Sequence, residues 1–126
     1  MGNDVADMNN DGRPDVVVLD MLPDEEQILK QSGGEDDYEL FHIKLEYGYS
    51  HQYVRNTLQL NLGEGSFSEI GRFGGIHSGD WSWAPLLCDL DNDGWKDLFI
   101  TNGIYRRAND LDYVEFLTGG NRDFPA

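Results

Sequence analysis

Short apolar runs of two-residue periodicity alternate along the chain with clusters of turn formers, a pattern that predicts strands more than helices. The clearest run starts at Tyr53, where Val54, Asn56, Leu58, Leu60 and Leu62 alternate with Arg55, Thr57, Gln59 and Asn61. Such spacing puts one set on each face of a strand. Gly63-Glu64-Gly65 marks a tight turn, and Phe67 to Phe73 supplies the return strand of a hairpin before Gly74-Gly75 breaks the run. Trp81 to Cys88 follows as a further strand with Trp81 and Trp83 on one face. Paired tryptophans can stack on a sugar, although packing between sheets is their more frequent use. Val16-Val17-Val18-Leu19 and Leu98-Phe99-Ile100-Thr101 read as short buried strands.

Residues 22–52 read as an insertion between strands. Pro23 at a first helical position, acids at Asp24, Glu25 and Glu26, and Gly33 after Ser32 frame a short polar helix. Phe41, Ile43, Leu45, Tyr47 and Tyr49 then alternate with His42, Lys44, Glu46 and Gly48, which predicts an extra strand. The alternative is a helix with Tyr38, Phe41 and Leu45 inward. Near the end, Asn109 is placed to cap a short helix through Leu117, stopped by Gly119-Gly120.

Charge changes this picture. The chain has 24 acidic against 9 basic residues among 126, a formal net charge of −15. That balance excludes the basic footprint needed to bind a phosphate backbone and makes cations the natural partners. Acids from Asp4 onward leave no signal-peptide pattern, and no apolar run approaches a membrane span. Cys88 is alone, so no internal disulfide forms. His42, His51 and His77 lie in unrelated contexts, and Ser66, Ser68 and Ser78 have no evident base, so no catalytic constellation is expected.

The acids are not spread evenly. DMNNDGRPD at 7–15 and DLDNDGWKD at 89–97 share one pattern: acid or amide at places one, three and five, glycine at six and aspartate at nine. Each copy leads into one of the short buried strands. Asp, Asn and Gly ordinarily mark turns; two full copies, each with its ninth-place aspartate, go beyond that. Ca²⁺ takes six to eight hard oxygen ligands, and alternate side chains of a tightly curled loop can aim that many at one centre. The ligand set predicted for the first loop is Asp7, Asn9, Asp11 and Asp15 with the Arg13 carbonyl. For the second it is Asp89, Asp91, Asp93 and Asp97 with the Trp95 carbonyl. Two Ca²⁺ sites are expected, the second tighter because Asn9 replaces one carboxylate in the first. An EF-hand is excluded, because its twelfth position, a bidentate Glu, is here Val18 or Ile100 within a strand.

These loops, with RNTLQLNLGEGSFSEIG at 55–71 and DWSWAPLLCDLDNDGWKDLFITNG at 80–103, resemble the FG-GAP or VCBS repeats of integrin-like β-propellers. Within that family the chain is similar to bacterial relatives of cartilage acidic protein that carry an ASPIC/UnbV segment. The resemblance implies an all-β chain of antiparallel β-propeller blades, about two and incomplete, spanning 1–126 with a short helical insertion at 22–52. In each blade the calcium loop joins the first and second strands. The first strand before Asp7 is expected as a stub, Asp4 to Ala6, and no third or fourth strand follows Asn102. Two blades cannot close a ring of four to eight, so the chain reads as an excised piece whose open edges invite another chain. The family implies a secreted, cell-surface or periplasmic protein that mediates binding or adhesion to a protein or glycan, next to neighbouring blades of its parent. The alternative is an accessory part of an extracellular polysaccharide-degrading enzyme.

Overall fold

The computed structural model describes residues 1–32 and 37–119. Its strands are β1 (Asn3–Ala6), β2 (Asp15–Val18), β3 (Met21–Leu22), β4 (Thr57–Gly63), β5 (Ser66–Glu69), β6 (Asp80–Cys88) and β7 (Asp97–Asn102). Its helices are α1 (Glu26–Gln31), α2 (Tyr38–Glu46) and α3 (Leu111–Leu117). Gly33 and Gly120, expected to end two helices, lie outside the described residues. The architecture is mostly β, with antiparallel sheets, a few short helices and neither sheet closed on itself. Contacts divide the chain into two compact units: Met1–Asp24 with Val54–Gly103, and Glu25–Tyr53 with the chain from Ile104 onward.

The first unit holds every strand among the described residues. One sheet runs β1-β2-β4-β5, each strand antiparallel to its neighbour, with Val5 opposite Val16, Val17 opposite Leu58 and Leu60 opposite Ser68. The stub expected at residues 4–6 is a four-residue strand paired along its whole length, because Asn3 to Ala6 face Val18 to Asp15 one for one. The other sheet runs β3-β6-β7, with Leu86 opposite Phe99 and Cys88 opposite Asp97. β1 lies beside β6: the Gly2 amide donates to the Trp83 carbonyl at 2.7 Å, and the Leu87 amide to the Asp4 carboxylate at 2.7 Å. Those two bonds bring the strand before the first acidic loop against the strand before the second.

Alternation within the strands builds the core. Val17, Leu19, Leu58 and Leu87 are buried, with Ala6, Met8, Ile70, Ile76, Leu98 and Ile100 packed against them, so both sheets contribute. Removing this apolar area from water is what drives the two sheets together. The hairpin between β4 and β5 turns through Glu64 (φ +53°) and Gly65 (φ +77°), the doubly left-handed backbone of a type I′ loop. A register shift between Asn61 and Gly63 leaves Leu62 exposed although the alternation groups it with Leu58. The return strand is also shorter than expected, ending at Glu69, whose carboxylate accepts the Gly71 amide at 2.6 Å and turns the chain.

The helical elements correct three expectations. Residues 41–49 do not form a strand: α2 covers Tyr38–Glu46, its first turn capped by Asp37, which accepts the Leu40 amide at 2.7 Å. The half-buried positions Phe41, Lys44 and Leu45 recur at helical spacing, while Tyr38 is 78% exposed and takes no part in the inward face. α1 begins at Glu26, not Pro23, because Asp24 stays with the first unit as acceptor for the Ser78 hydroxyl at 2.8 Å. At α3 the cap is Asp110 in place of Asn109, its carboxylate accepting the Tyr113 amide at 3.0 Å. A β-bridge joins Ser32 to Asp110, holding the end of α1 to the start of α3. No helix among the described residues is long and apolar enough to cross a membrane.

Candidate metal centre

The two acidic loops fold by the same hydrogen bonds. Asp7 accepts the Asp11 amide on one oxygen (3.1 Å) and the Gly12 amide on the other (2.8 Å); Asp89 accepts Asp93 (3.0 Å) and Gly94 (2.9 Å) in the same way. The side-chain oxygen of Asn9, and that of Asp91, accepts the amide two residues on at 3.2 Å. Asp11 accepts the Arg13 amide at 2.9 Å, and Asp93 that of Trp95 at 2.8 Å. Asp15 closes the first loop on the Met8 amide and Asp97 the second on that of Leu90, both at 2.9 Å. Each acid thus folds the loop back on itself by binding its amides, the chemistry that favours Asp and Asn in turns.

Backbone strain repeats as well. Asn10 and Asn92 sit at φ +57° and +63°, Gly12 and Gly94 at +83° and +90°. Nothing lies within 4 Å of where a Cβ would stand on either glycine, so conformation alone demands glycine at the sixth place.

The loops differ in what remains open. In the first, Asp15 is fully buried and its second oxygen accepts the Asn61 amide at 2.9 Å, while the outer oxygen of Asp11 takes the Arg13 guanidinium at 2.6 Å and the Asn9 amide group at 3.0 Å. Partial desolvation pushes the Asp11 carboxyl up, but the Arg13 amide, the Asn9 amide group and the Arg13 guanidinium outweigh it and hold the carboxyl below its ordinary range. In the second loop, no donor among the described residues engages the remaining oxygens of Asp91, Asp93 and Asp97. One ligand atom from each of Asp89, Asp91 and Asp97 lies within 4.8 Å of the others. Two oxygens bound to one Ca²⁺ at about 2.4 Å stand no more than about 4.8 Å apart, so this hard-oxygen set fits the ion.

Sequence spacing missed three contributors. Asn61, on β4, braces the first loop three ways: its amide donates to Asp15, its carbonyl accepts Arg13 Nε at 2.9 Å, and its side chain donates to the Pro14 carbonyl at 3.1 Å. Asn10 donates to the Gly94 carbonyl at 3.1 Å, so the two loops touch. Asp4 anchors β1 to β6, and the Leu87 and Val5 amides hold its carboxyl below the ordinary range. Repeat alignment shows none of these, because Asn61 and Asn10 act on residues far away in sequence. The Trp81 and Trp83 rings stand 6.1 Å apart and tilted by 49°, not coplanar, and Trp83 Nε1 donates to the Gly103 carbonyl at 2.7 Å.

A mostly β, antiparallel chain with a twice-built acidic loop between paired strands is the class that fold and site define. Residues 46–100, under half of the chain, match the family model described as FG-GAP-like repeat, which supports a place in the FG-GAP repeat family. The match runs through β4, β5, β6 and the second acidic loop into β7, and the first loop lies outside it. No curated protein and no solved structure matches the chain.

Proposed function

We propose that the chain is a calcium-binding segment of an integrin-like β-propeller, part of a secreted or cell-surface protein that mediates binding or adhesion. The observation that carries this reading is the convergence of Asp89, Asp91 and Asp97 in a loop whose hydrogen bonds are repeated at 7–15. A loop that assembles oxygens of one sign needs a cation, and the oxygen-only set favours Ca²⁺ over Mg²⁺, which demands compact octahedral geometry. The FG-GAP-like match over 46–100 supports the propeller assignment, with β1-β2-β4-β5 as one blade and β6-β7 as the first half of the next. Ion binding would stiffen the turn into β7 and so present a fixed rim to a protein or glycan.

Calorimetric titration of the chelator-stripped chain tests this. Ca²⁺ should bind more tightly than Mg²⁺, and Asp91→Ala should abolish the tight binding. Equal affinity for the two ions, or an isotherm unchanged by Asp91→Ala, would overturn the assignment.

A further inference from the structure

β7 ends on Asn102, and Asn102-Gly103 is the one place in the chain where an asparagine precedes a residue without a side chain. Such a pair is chemically unstable in an open chain, because the next backbone nitrogen reaches the side-chain amide carbon unhindered and displaces ammonia. The pair ordinarily forms a hairpin turn. Here it sits at a strand end, and the backbone demands it: Gly103 stands at φ +122°, which L side chains rarely adopt, with nothing within 4 Å of where a Cβ would be. Conformation, not space, therefore selects the residue that makes Asn102 vulnerable. Three bonds then hold both reacting groups still. The Gly103 amide, the nucleophile, donates to the Trp81 carbonyl at 3.0 Å, and the Gly103 carbonyl accepts Trp83 Nε1 at 2.7 Å. The Asn102 side-chain amide, which carries the leaving nitrogen, donates to the Gly79 carbonyl. All three partners lie within residues 79–83, where β6 starts opposite the end of β7.

We propose that Asn102 is a latent self-modification site, which the native end of the β6–β7 hairpin keeps closed. When the contact between residues 79–83 and 102–103 opens, the Gly103 nitrogen is free to attack Asn102 Cγ. The N–Cγ bond forms, Cγ–Nδ2 breaks, and Nδ2 takes the Gly103 amide proton and leaves as ammonia, giving a cyclic imide. Water, which the exposed Asn102 meets directly, then opens the ring at either carbonyl and leaves aspartate, or its isomer with the chain running through the β-carboxyl. Each product lacks the donor that met the Gly79 carbonyl and brings a carboxylate in its place, so the hairpin end cannot close as before. The reaction is a one-way record of opening at the point where the chain leaves the first unit. Its rate is set by the stability of that contact, not of the whole fold. The inference is independent of the calcium reading.

The test is timed incubation of the full chain in mildly alkaline heavy-oxygen water, natively and in urea, with conversion at residue 102 read by peptide mapping and mass spectrometry. The heavy oxygen labels each hydrolysed imide. Conversion in urea should outrun native conversion by about tenfold or more, as for a site exposed only by local opening. Trp83→Phe, which keeps an aromatic ring and removes the Nε1 donor, should speed native conversion by about threefold or more, the effect of losing one ordinary hydrogen bond. Asn102→Asp, which imitates the direct product, should exchange its Gly103 amide hydrogen faster than the parent. A native rate equal to the urea rate overturns the guarded site, as does an unaltered rate in a Trp83→Phe chain that circular dichroism shows to be folded. Unchanged Gly103 exchange in Asn102→Asp overturns the one-way step. If Trp83→Phe fails to fold, the ratio of urea to native rates and the Asn102→Asp exchange decide.

Discussion

Replacing Asn56 by alanine should cost a substantial part of the chain's stability. Asn56 is fully buried, its side-chain oxygen accepting the Asp20 amide at 2.8 Å and its side-chain nitrogen donating to the Ile76 carbonyl at 2.9 Å. Its own amide donates to the His77 carbonyl at 3.0 Å. One side chain thus satisfies two backbone groups on partly buried segments that flank the helical insertion and the hairpin. Leaving a buried group unpaired costs about 1–3 kcal/mol, and because these two bonds are only partly buried the loss should lie near the lower end, about 2 kcal/mol for the pair. A domain of this kind has only about 5–15 kcal/mol in total. The assay is urea denaturation followed by circular dichroism, where the midpoint should fall while the slope stays constant. Asn56→Asp separates hydrogen bonding from volume. It keeps the acceptor for Asp20 but turns a carboxylate toward the Ile76 carbonyl, so it should be destabilised at neutral pH and partly recover once protonated. An Asn56→Ala midpoint within about 0.5 kcal/mol of the parent, the range of an ordinary surface change, would refute the clamp.

Asp4→Asn should lower the melting temperature at neutral pH. Because the folded-state carboxyl of Asp4 lies below its ordinary value of 3.8, its contribution is present above that value and is lost as pH falls through the folded one, so the difference between parent and variant should shrink under acid. A difference independent of pH would remove the Asp4 carboxylate as its cause. Glu64→Asn should raise stability by about 0.5–1 kcal/mol, since Glu64 holds φ +53° in a turn that favours Asn; a lower melting temperature would contradict the turn assignment. Chelator should lower the melting temperature of the Ca²⁺-loaded chain, because an ion at a hundredfold excess over Kd stabilises its site by about 2.7 kcal/mol, and an unmoved curve would make the second loop an ordinary acidic turn.

How much of this could be read in advance depended on distance along the chain. The acidic loops were legible because every bond that curls them joins residues no more than seven apart, and β7 was legible in its centre, Leu98 to Thr101, extending one residue further at each end. α2 was misread for a physical reason. Phe41, Ile43 and Leu45 satisfy a two-residue period, while the set that is half-buried, Phe41, Lys44 and Leu45, includes a lysine that the apolar pattern does not count. Asp37 ahead of that run was the neglected signal, a capping acid that favours a helix start over a strand. Asn61 and Arg13 became a pair only through the antiparallel pairing of β2 with β4, 48 residues apart in sequence.

The contact of β1 with β6 sets the two acidic loops of a chain of net charge −15 against each other. Each loop leaves a strand of its own sheet, β1 or β6, and those strands lie side by side through the Gly2–Trp83 and Leu87–Asp4 bonds. The fold therefore brings the loops to one place, where the Asn10 side chain reaches the Gly94 carbonyl. Two uncompensated carboxylate clusters at that spacing would repel, since screening at physiological salt acts only beyond about 8 Å. Arg13 offsets part of that repulsion within the first loop, at the oxygen of Asp11. A neutral bridge from Asn10 is then the economical contact between them, because a carboxylate at position 10 would meet the Gly94 carbonyl with no proton to give. The two loops are then neighbouring parts of one acidic rim, joined by a neutral side chain.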